Sequence, residues 1–409
     1  MLAQPDRNLA IYDAFVGELH EHYFDAKLVR SSEWEARFAE FRKKAQVAPD
    51  DSHLYTGVLQ PLSNAFPDSH VFALGPEFAS KDVPPPGPKK APGNPGFELA
   101  VMRRDRVMRA MVGDVERNSA AERAGIAPGY VIQNLSITTT EKGGHLKAEF
   151  DRYRPDEVRS YERDFKWSAP LYPDVPATSE AQTRRFIAER RFTVEYDYEI
   201  PLATPTFECR MLSDGVTYVR FDNFSDKALV DHVLAVIDKA PANGLIVDLR
   251  HNSGGLSTET HRVLNRLLGH DAYIGTHRRG WWFENLRTDK DGPVYTGPLV
   301  VLIGPQSASA AEITAAAVLD NHRGLLVGRM TNGSVMESNY FPLPDGGTAQ
   351  IPVNDFVRGH DRRIDSVGVS PDIWILPTLD DVRAGRDPAL ARALKEINGK
   401  ELTVARATR

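Results

Sequence analysis

The sequence predicts an α/β protein: a helical N-terminal region, a small β-rich region, and a C-terminal core built on a largely parallel sheet. Three observations carry this. Over residues 7–66 bulky side chains recur every three to four positions, the spacing of one helix face; from Gly96 to about Ser136 the pattern turns to strands. From Val216 onward short apolar runs alternate with amphipathic stretches, the βα succession that builds parallel layers.

In the helical region Tyr12, Phe15, Leu19 and Tyr23 mark one stripe, and Ser32 with Glu35 forms an expected capping box ahead of Trp34, Phe38 and Phe41. Residues 1–80 are read as a helical domain. Residues 81–95, dense in Pro and Gly, lack the donors and side chains of a helix or central strand and read as an extended linker. A third region, 96–200, opens with strands. Within it Val115–Ile132 leads from a strand end into a short helix, Ser119 to Ala124, which Gly125 stops before a Pro128-Gly129 turn and a further strand. Residues 137–200 are charged, with Arg-rich runs such as 183–191 interleaved with acids, and read as a solvated helical face.

Residues 201–409 are read as the core domain. Its expected strands are Val216–Phe221, Gly244–Leu249, Leu299–Ile303 and Leu325–Gly328. Its expected helices run from about Ala228 to Lys239, Ser257 to Leu268 and Ala308 to Leu319. Chemistry in such sheets gathers beyond the C-terminal strand ends. Two glycine- and serine-bearing loops fall there, Arg250–Gly255 and Gly304–Ser309. The second places Ser307 and Ser309 at the positive end of a helix, which favours negative charge developing on an attacking oxygen or an oxyanion; a plain helix cap is the competing role.

A formal charge of −6 over 409 residues argues against nucleic-acid binding, or membrane-surface binding, as the main role. The single cysteine, Cys209, excludes an intrachain disulfide. No apolar run approaches the roughly 18 residues of a membrane helix. The N-terminus has neither a basic n-region nor an apolar h-region, so the protein is cytoplasmic or a leader has been removed. The nearest histidine pair, His20 and His22, lacks metal-ligand spacing, and neither a metal nor a cofactor is expected.

The Val115–Ile132 stretch resembles the core of PDZ modules attached to proteases, through its Ala-Gly-Ile and Pro-Gly elements; Tyr130 stands where an acidic residue is usual. The resemblance puts Gly96, Phe97, Glu98 and Leu99 at the loop that would receive a peptide carboxylate, with the peptide adding as a strand along that edge; a role in propping domains together is the alternative. Five ordered segments, Tyr218–Phe224, Leu245–Gly255, Ser307–Glu312, Pro342–Gly347 and Gly368–Ile373, are similar to the S41 serine peptidases, which comprise carboxyl-terminal processing proteases and the tricorn core protease. That resemblance implies a ClpP/crotonase-like α/β catalytic core, a polypeptide substrate and Ser309 as nucleophile, with Ser307 a structural neighbour. Processing proteases pair their serine with a lysine from a Phe-Gly-Lys-Gly segment, but the corresponding stretch here is Thr331-Asn-Gly-Ser-Val335, and no lysine occurs from Asp291 through Leu394.

The tricorn-like branch supplies a histidine preceded by serine, and an acid ahead of the terminal Gly-Val-x-Pro-Asp element. Ser69-His70 and Asp365 stand at those places, which implies His70 as general base, with Ser69 and Asp365 orienting it. His251, inside the glycine loop, is the rival base. Amides of Gly254, Gly255 and Ala310 are the expected oxyanion donors. Arg358, Arg362 and Arg363 are candidate contacts for an acidic peptide end. Two functions follow from the resemblance: a serine endopeptidase acting on unfolded or C-terminally presented polypeptides, or an inactive relative that holds peptides or apolar ligands. Family habit favours a periplasmic or extracellular location and is compatible with a homo-oligomer.

Overall fold

The computed structural model describes residues 3–76, 95–104, 107–139, 143–164, 189–199 and 206–399. The expected linker lies outside these residues up to Asn94, as do residues 183–188 of the Arg-rich run.

The N-terminal region forms α1 (Gln4–His22), α2 (Ala26–Val29), α3 (Ser32–Gln46), α4 (Asp51–Leu54) and α5 (Gln60–Asn64), with a π turn over Tyr55–Leu59 joining the last two. Pro5 sits in the first turn of α1, where its missing N–H costs nothing. The cap of α3 falls one residue before the expected box: Ser31, still extended, accepts the Trp34 N–H at 3.4 Å, and Ser32 is already helical. Tyr12, Phe15, Leu19, Trp34, Phe38 and Phe66 are buried together. After β1 (Phe72–Leu74) come β2 (Phe97–Arg104), β3 (Val107–Val115), α6 (Ala120–Arg123), β4 (Val131–Thr139), β5 (Gly143–Asp151), α7 (Pro155–Asp164) and β6 (Arg191–Glu199).

Strands β2 to β6 form an antiparallel meander in sequence order, with β2 at one edge. This corrects the reading of a helical face over residues 137–139, 143–151 and 191–199, which are strand, while Pro155–Asp164 is a helix. Leu146, Ala148 and Phe150 of β5 are buried in alternation with polar neighbours, the period of a half-buried strand. The arginines at the start of β6 are consumed by acids: Arg190 pairs with Glu157 at 2.6 Å and Arg191 with Asp151 at 3.0 Å.

The remaining elements are β7 (Phe207–Met211), β8 (Thr217–Phe221), α8 (Lys227–Lys239), β9 (Leu245–Asp248), α9 (Ser257–Leu268), β10 (Tyr273–Arg279), β11 (Trp282–Arg287), β12 (Leu299–Ile303), α10 (Ala310–Asp320), β13 (Leu325–Gly328), β14 (Met336–Pro342), β15 (Thr348–Arg358), β16 (Arg362–Arg363), β17 (Ile373–Trp374), α11 (Leu379–Ala384) and α12 (Pro388–Asn398). The core sheet runs β17-β13-β12-β9-β8-β7 and is parallel except for β7. All five side chains of β12 are fully buried, as a central parallel strand requires.

The chain separates into two compact units that differ from the expected division. One combines Met1–Lys89, Ile274–Leu286 and Ser334–Val367; the other holds Lys90–Tyr273, Arg287–Gly333 and Gly368–Arg409. Residues 201–409 therefore do not form one domain. Strand β15 carries part of that segment to the N-terminal helices: it pairs with β1, β10, β14 and β16, and its Ala349 and Ile351 enter the helical core.

Candidate active site

In the second unit β9, β12 and β13 are parallel neighbours, so the segments that follow them, 249–256, 304–309 and 329–333, leave the same edge of the sheet. Ser307 and Ser309 differ sharply there. The Ser307 hydroxyl is fully buried; it accepts the Gly304 N–H at 3.0 Å and donates to the Leu249 carbonyl at 2.7 Å. It ties the two loops together and has no proton to offer a base. Ser309 is only partly buried and is the N-cap of α10, with φ 53° and ψ −118°. A non-glycine residue in that region carries strain of about 1–3 kcal/mol, a cost that persists where the surroundings demand one side-chain direction.

The glycine loop packs directly on this serine. A Cβ on Gly254 would lie 2.6 Å from Ser309 Cβ and 3.0 Å from the Ala310 nitrogen, and Gly254 holds φ +92°. Asn252, fully buried, organises both loops: its carbonyl accepts the Ala308 N–H (3.0 Å), its side chain donates to Phe221 O (3.0 Å), and its Oδ1 accepts the Gly254 N–H (2.9 Å). That last bond corrects the assignment of Gly254 as an oxyanion donor, because its amide is already committed and its part is close approach. Ala310, the first residue of α10, has an N–H outside the i→i−4 ladder, and Gly255 adopts φ +146°, open only to glycine.

Sequence reasoning passed over Glu312. This fully buried carboxylate accepts the Ser309 N–H at 3.1 Å, the Gly333 N–H at 2.7 Å and the Thr331 hydroxyl. Asn332 adds bonds to the Ser307 and Pro305 carbonyls at 3.0 and 3.1 Å. The segment that carries a lysine in processing proteases is here a brace for the nucleophile loop. The [ST]-x-x-[DE] pattern of Ser309 and Glu312 was the available signal.

His251 lies in this unit with Nδ1 3.1 Å from Glu98 and 3.3 Å from Gln306, and Nε2 3.9 Å from Asp114. Burial pulls its pKa down, but Glu98, Asp248 and Asp114 outweigh it and push it up to about 9. It is an imidazolium at neutral pH, with no lone pair for a hydroxyl proton. Of the expected peptide-binding residues, Gly96 turns with φ +91° beside Ser119, Phe97 is buried, Glu98 faces His251, and Leu99 is 41% exposed on the edge strand.

The first unit brings together Ser69, His70 and Asp365. Ser69 Oγ is 2.6 Å from His70 Nδ1 and donates to Asp365 Oδ1. Burial lowers the His70 pKa to about 4. Asp365, 1% exposed, is raised to about 7 by burial and the nearby Asp68, against the Ser69 bond, Arg363 and the Val335 N–H. Asp68, which sequence reasoning missed, accepts the His70 N–H at 3.1 Å and the Tyr23 hydroxyl at 2.6 Å, the second bond joining residues 45 apart in sequence. Arg363 pairs with Asp355 at 3.0 Å and lies 3.9 Å from Asp365, and Arg358 is buried, so neither is a free anchor for an acidic peptide end.

Peptidase family S41 matches residues 215–375. Curated relatives include a carboxyl-terminal-processing protease of Picosynechococcus sp., 32% identical over 39% of this chain and 39% of its own length, and carboxyl-terminal-processing peptidase 1, chloroplastic, of Arabidopsis thaliana, 31% identical over 41% of this chain and 35% of its own. The aligned part thus spans under two fifths of these relatives. Among solved structures, the fold is similar to the photosystem II D1 C-terminal processing protease, with TM-score 0.60 at 18% identity over 90% of this chain and 93% of that one. It is also similar to the tricorn protease, with TM-score 0.53 at 16% identity over 97% of this chain and 37% of that one. Among the described residues no helix is long and apolar enough to cross a membrane.

Proposed function

We propose that this chain, whose residues 215–375 match peptidase family S41, is a serine endopeptidase with Ser309 as nucleophile and His70, rather than a lysine, as general base. The observation that carries the reading is the Ser69 bridge between His70 and Asp365. A hydroxyl has one proton, and Ser69 gives it to Asp365; His70 therefore donates its Nδ1 proton to Ser69 and keeps its lone pair on Nε2. That neutral tautomer is the one a base needs.

The reaction then runs as acyl transfer. Ser309 Oγ attacks a peptide carbonyl while His70 Nε2 takes its proton; Gly255 and Ala310 amides, with the N-terminal end of α10, receive the oxyanion; the imidazolium protonates the leaving amine; and water, deprotonated by His70, releases the acyl group. The glycine loop positions these amides and Glu312 fixes the serine backbone.

Substrates are unfolded or C-terminally presented polypeptides, by likeness to the carboxyl-terminal-processing relatives, and the site of action is outside the cytoplasm. The PDZ-like sheet 97–199 tethers peptide by strand addition at β2, raising its local concentration. Incubation with an unfolded protein tests the reading: wild type yields fragments, while Ser309→Ala and His70→Ala, both folded, do not. One observation favours a second reading, an inactive binder: the lysine usual in the processing branch is absent. A folded wild type that binds peptide and never cleaves it supports that alternative.

A further inference from the structure

The β10–β11 hairpin ends in Arg279-Gly280-Trp281-Trp282-Phe283, and its aromatic residues are open to solvent: Trp281 is 93% exposed, Trp282 41% and Phe283 64%. Among the described residues no other three consecutive large apolar side chains are exposed. Strand β11 is an edge strand, and five of its six residues are exposed. Successive strand residues point to opposite faces, so Trp282 and Phe283 occupy both faces of the ribbon while Trp281 extends the turn. Gly280, at φ +60°, has open space around it. The ribbon is also basic where the chain is acidic. Residues 277–287 hold Arg278, Arg279 and Arg287 against Glu284, a balance of +2 without His277, within a chain of −6.

We infer that this hairpin is a lipid-surface anchor, its three aromatic side chains entering the interfacial layer of a bilayer and its arginines meeting anionic headgroups. A protein partner covers one face of a ribbon and leaves the other wet; a bilayer interface surrounds the tip on all sides. The three rings also offer too little surface for a stable protein contact, about 150–250 Å² each against about 800 Å² per partner. Tryptophan beside arginine is the chemistry of the headgroup layer. The ion pairs of Arg278 with Asp361 and Arg287 with Asp271 are exposed, and such pairs exchange readily for phosphate. The chain's net negative charge does not oppose this docking, because charges beyond about 10 Å are screened at ordinary ionic strength.

Vesicle flotation with the full chain tests the inference, using phosphatidylcholine vesicles with and without phosphatidylglycerol. Wild type is expected to float with the anionic vesicles, to release as salt rises, and to shift its tryptophan emission to the blue. Trp281→Ser/Trp282→Ser/Phe283→Ser should lose at least about tenfold in vesicle partition with an unchanged melting temperature, because exposed side chains contribute little to folding. Arg278→Gln/Arg287→Gln keeps the rings and should lose the preference for anionic vesicles. The inference is overturned if wild type stays unbound, if the triple variant floats equally, if binding is indifferent to phosphatidylglycerol and salt, or if the triple substitution instead abolishes self-association of the chain on a sizing column.

Discussion

Ser69 Oγ stands 2.6 Å from Nδ1 of His70 and gives its own proton to the carboxylate of Asp365. The direction of those two bonds decides which nitrogen of the imidazole is basic. Burial holds His70 neutral down to about pH 4, whereas Asp365 titrates near 7. Below that pH a protonated Asp365 donates to Ser69, Ser69 turns its proton toward Nδ1, and the imidazole proton moves to Nε2, where it blocks the base.

Peptidase activity is therefore expected to rise as pH climbs through about 7, with the step belonging to Asp365 and not to His70. A profile of kcat/KM against pH checks this. Asp365→Asn should remove the step and lower the rate by roughly 10²–10⁴, the range of a misdirected general base. An acid limb near 4 in the wild type would instead assign the step to the histidine itself.

His251 should behave differently. Its imidazolium is held by Glu98 and Asp114 and persists to about pH 9. His251→Gln is expected to keep the step near 7, lose any alkaline limb near 9, and reduce the rate by about tenfold through a looser glycine loop, well short of the loss assigned to the base. A loss as large as that of His70→Ala would make His251 the base.

Gly254→Ala tests close approach. Its Cβ would meet Ser309 Cβ at 2.6 Å and the Ala308 carbonyl at 2.8 Å, with φ at +92°. The loop must shift, and a displacement of about 1 Å near reacting atoms costs on the order of 10²-fold. We expect that loss in kcat with KM little changed, read from steady-state kinetics.

The two serines of the nucleophile bend make a matched pair. Ser307→Ala leaves the Gly304 N–H and Leu249 carbonyl without their shared buried partner and should cost about 1–3 kcal/mol of stability, seen in denaturant melts, while activity persists in the folded fraction. Ser309→Ala removes the hydroxyl of the residue that caps α10 and should cost about 1 kcal/mol of stability while abolishing activity.

Much of this architecture was legible in the sequence, and the reasons are local. Leu299–Ile303 and Leu325–Gly328 are unbroken apolar runs bounded by Gly, Pro or a short turn, and both are strands with those limits. Helix Ser257–Leu268 begins where the loop glycines end and stops at Gly269, as read. The strand β5 was misread although Leu146, Ala148 and Phe150 alternate with His145, Lys147 and Glu149; the density of charge hid a period of two. Ser307 could not be separated from Ser309 by chemistry alone, since both hydroxyls suit a helix start. What divides them is a bond from Ser307 to Leu249, 58 residues away. Asp68 was hidden for a related reason, since its bond to Tyr23 spans 45 residues, whereas Glu312 had a local signal in its spacing from Ser309 and only its bond to Gly333 needed the fold.

Labelling by a serine-reactive fluorophosphonate tests the central claim most directly. Wild type should label at one site, Ser309→Ala should not label, and His70→Ala should label at least about 10²-fold more slowly, the contribution of a general base. Folded wild type that does not label, or labelling undiminished in either variant, would contradict the Ser309–His70 assignment.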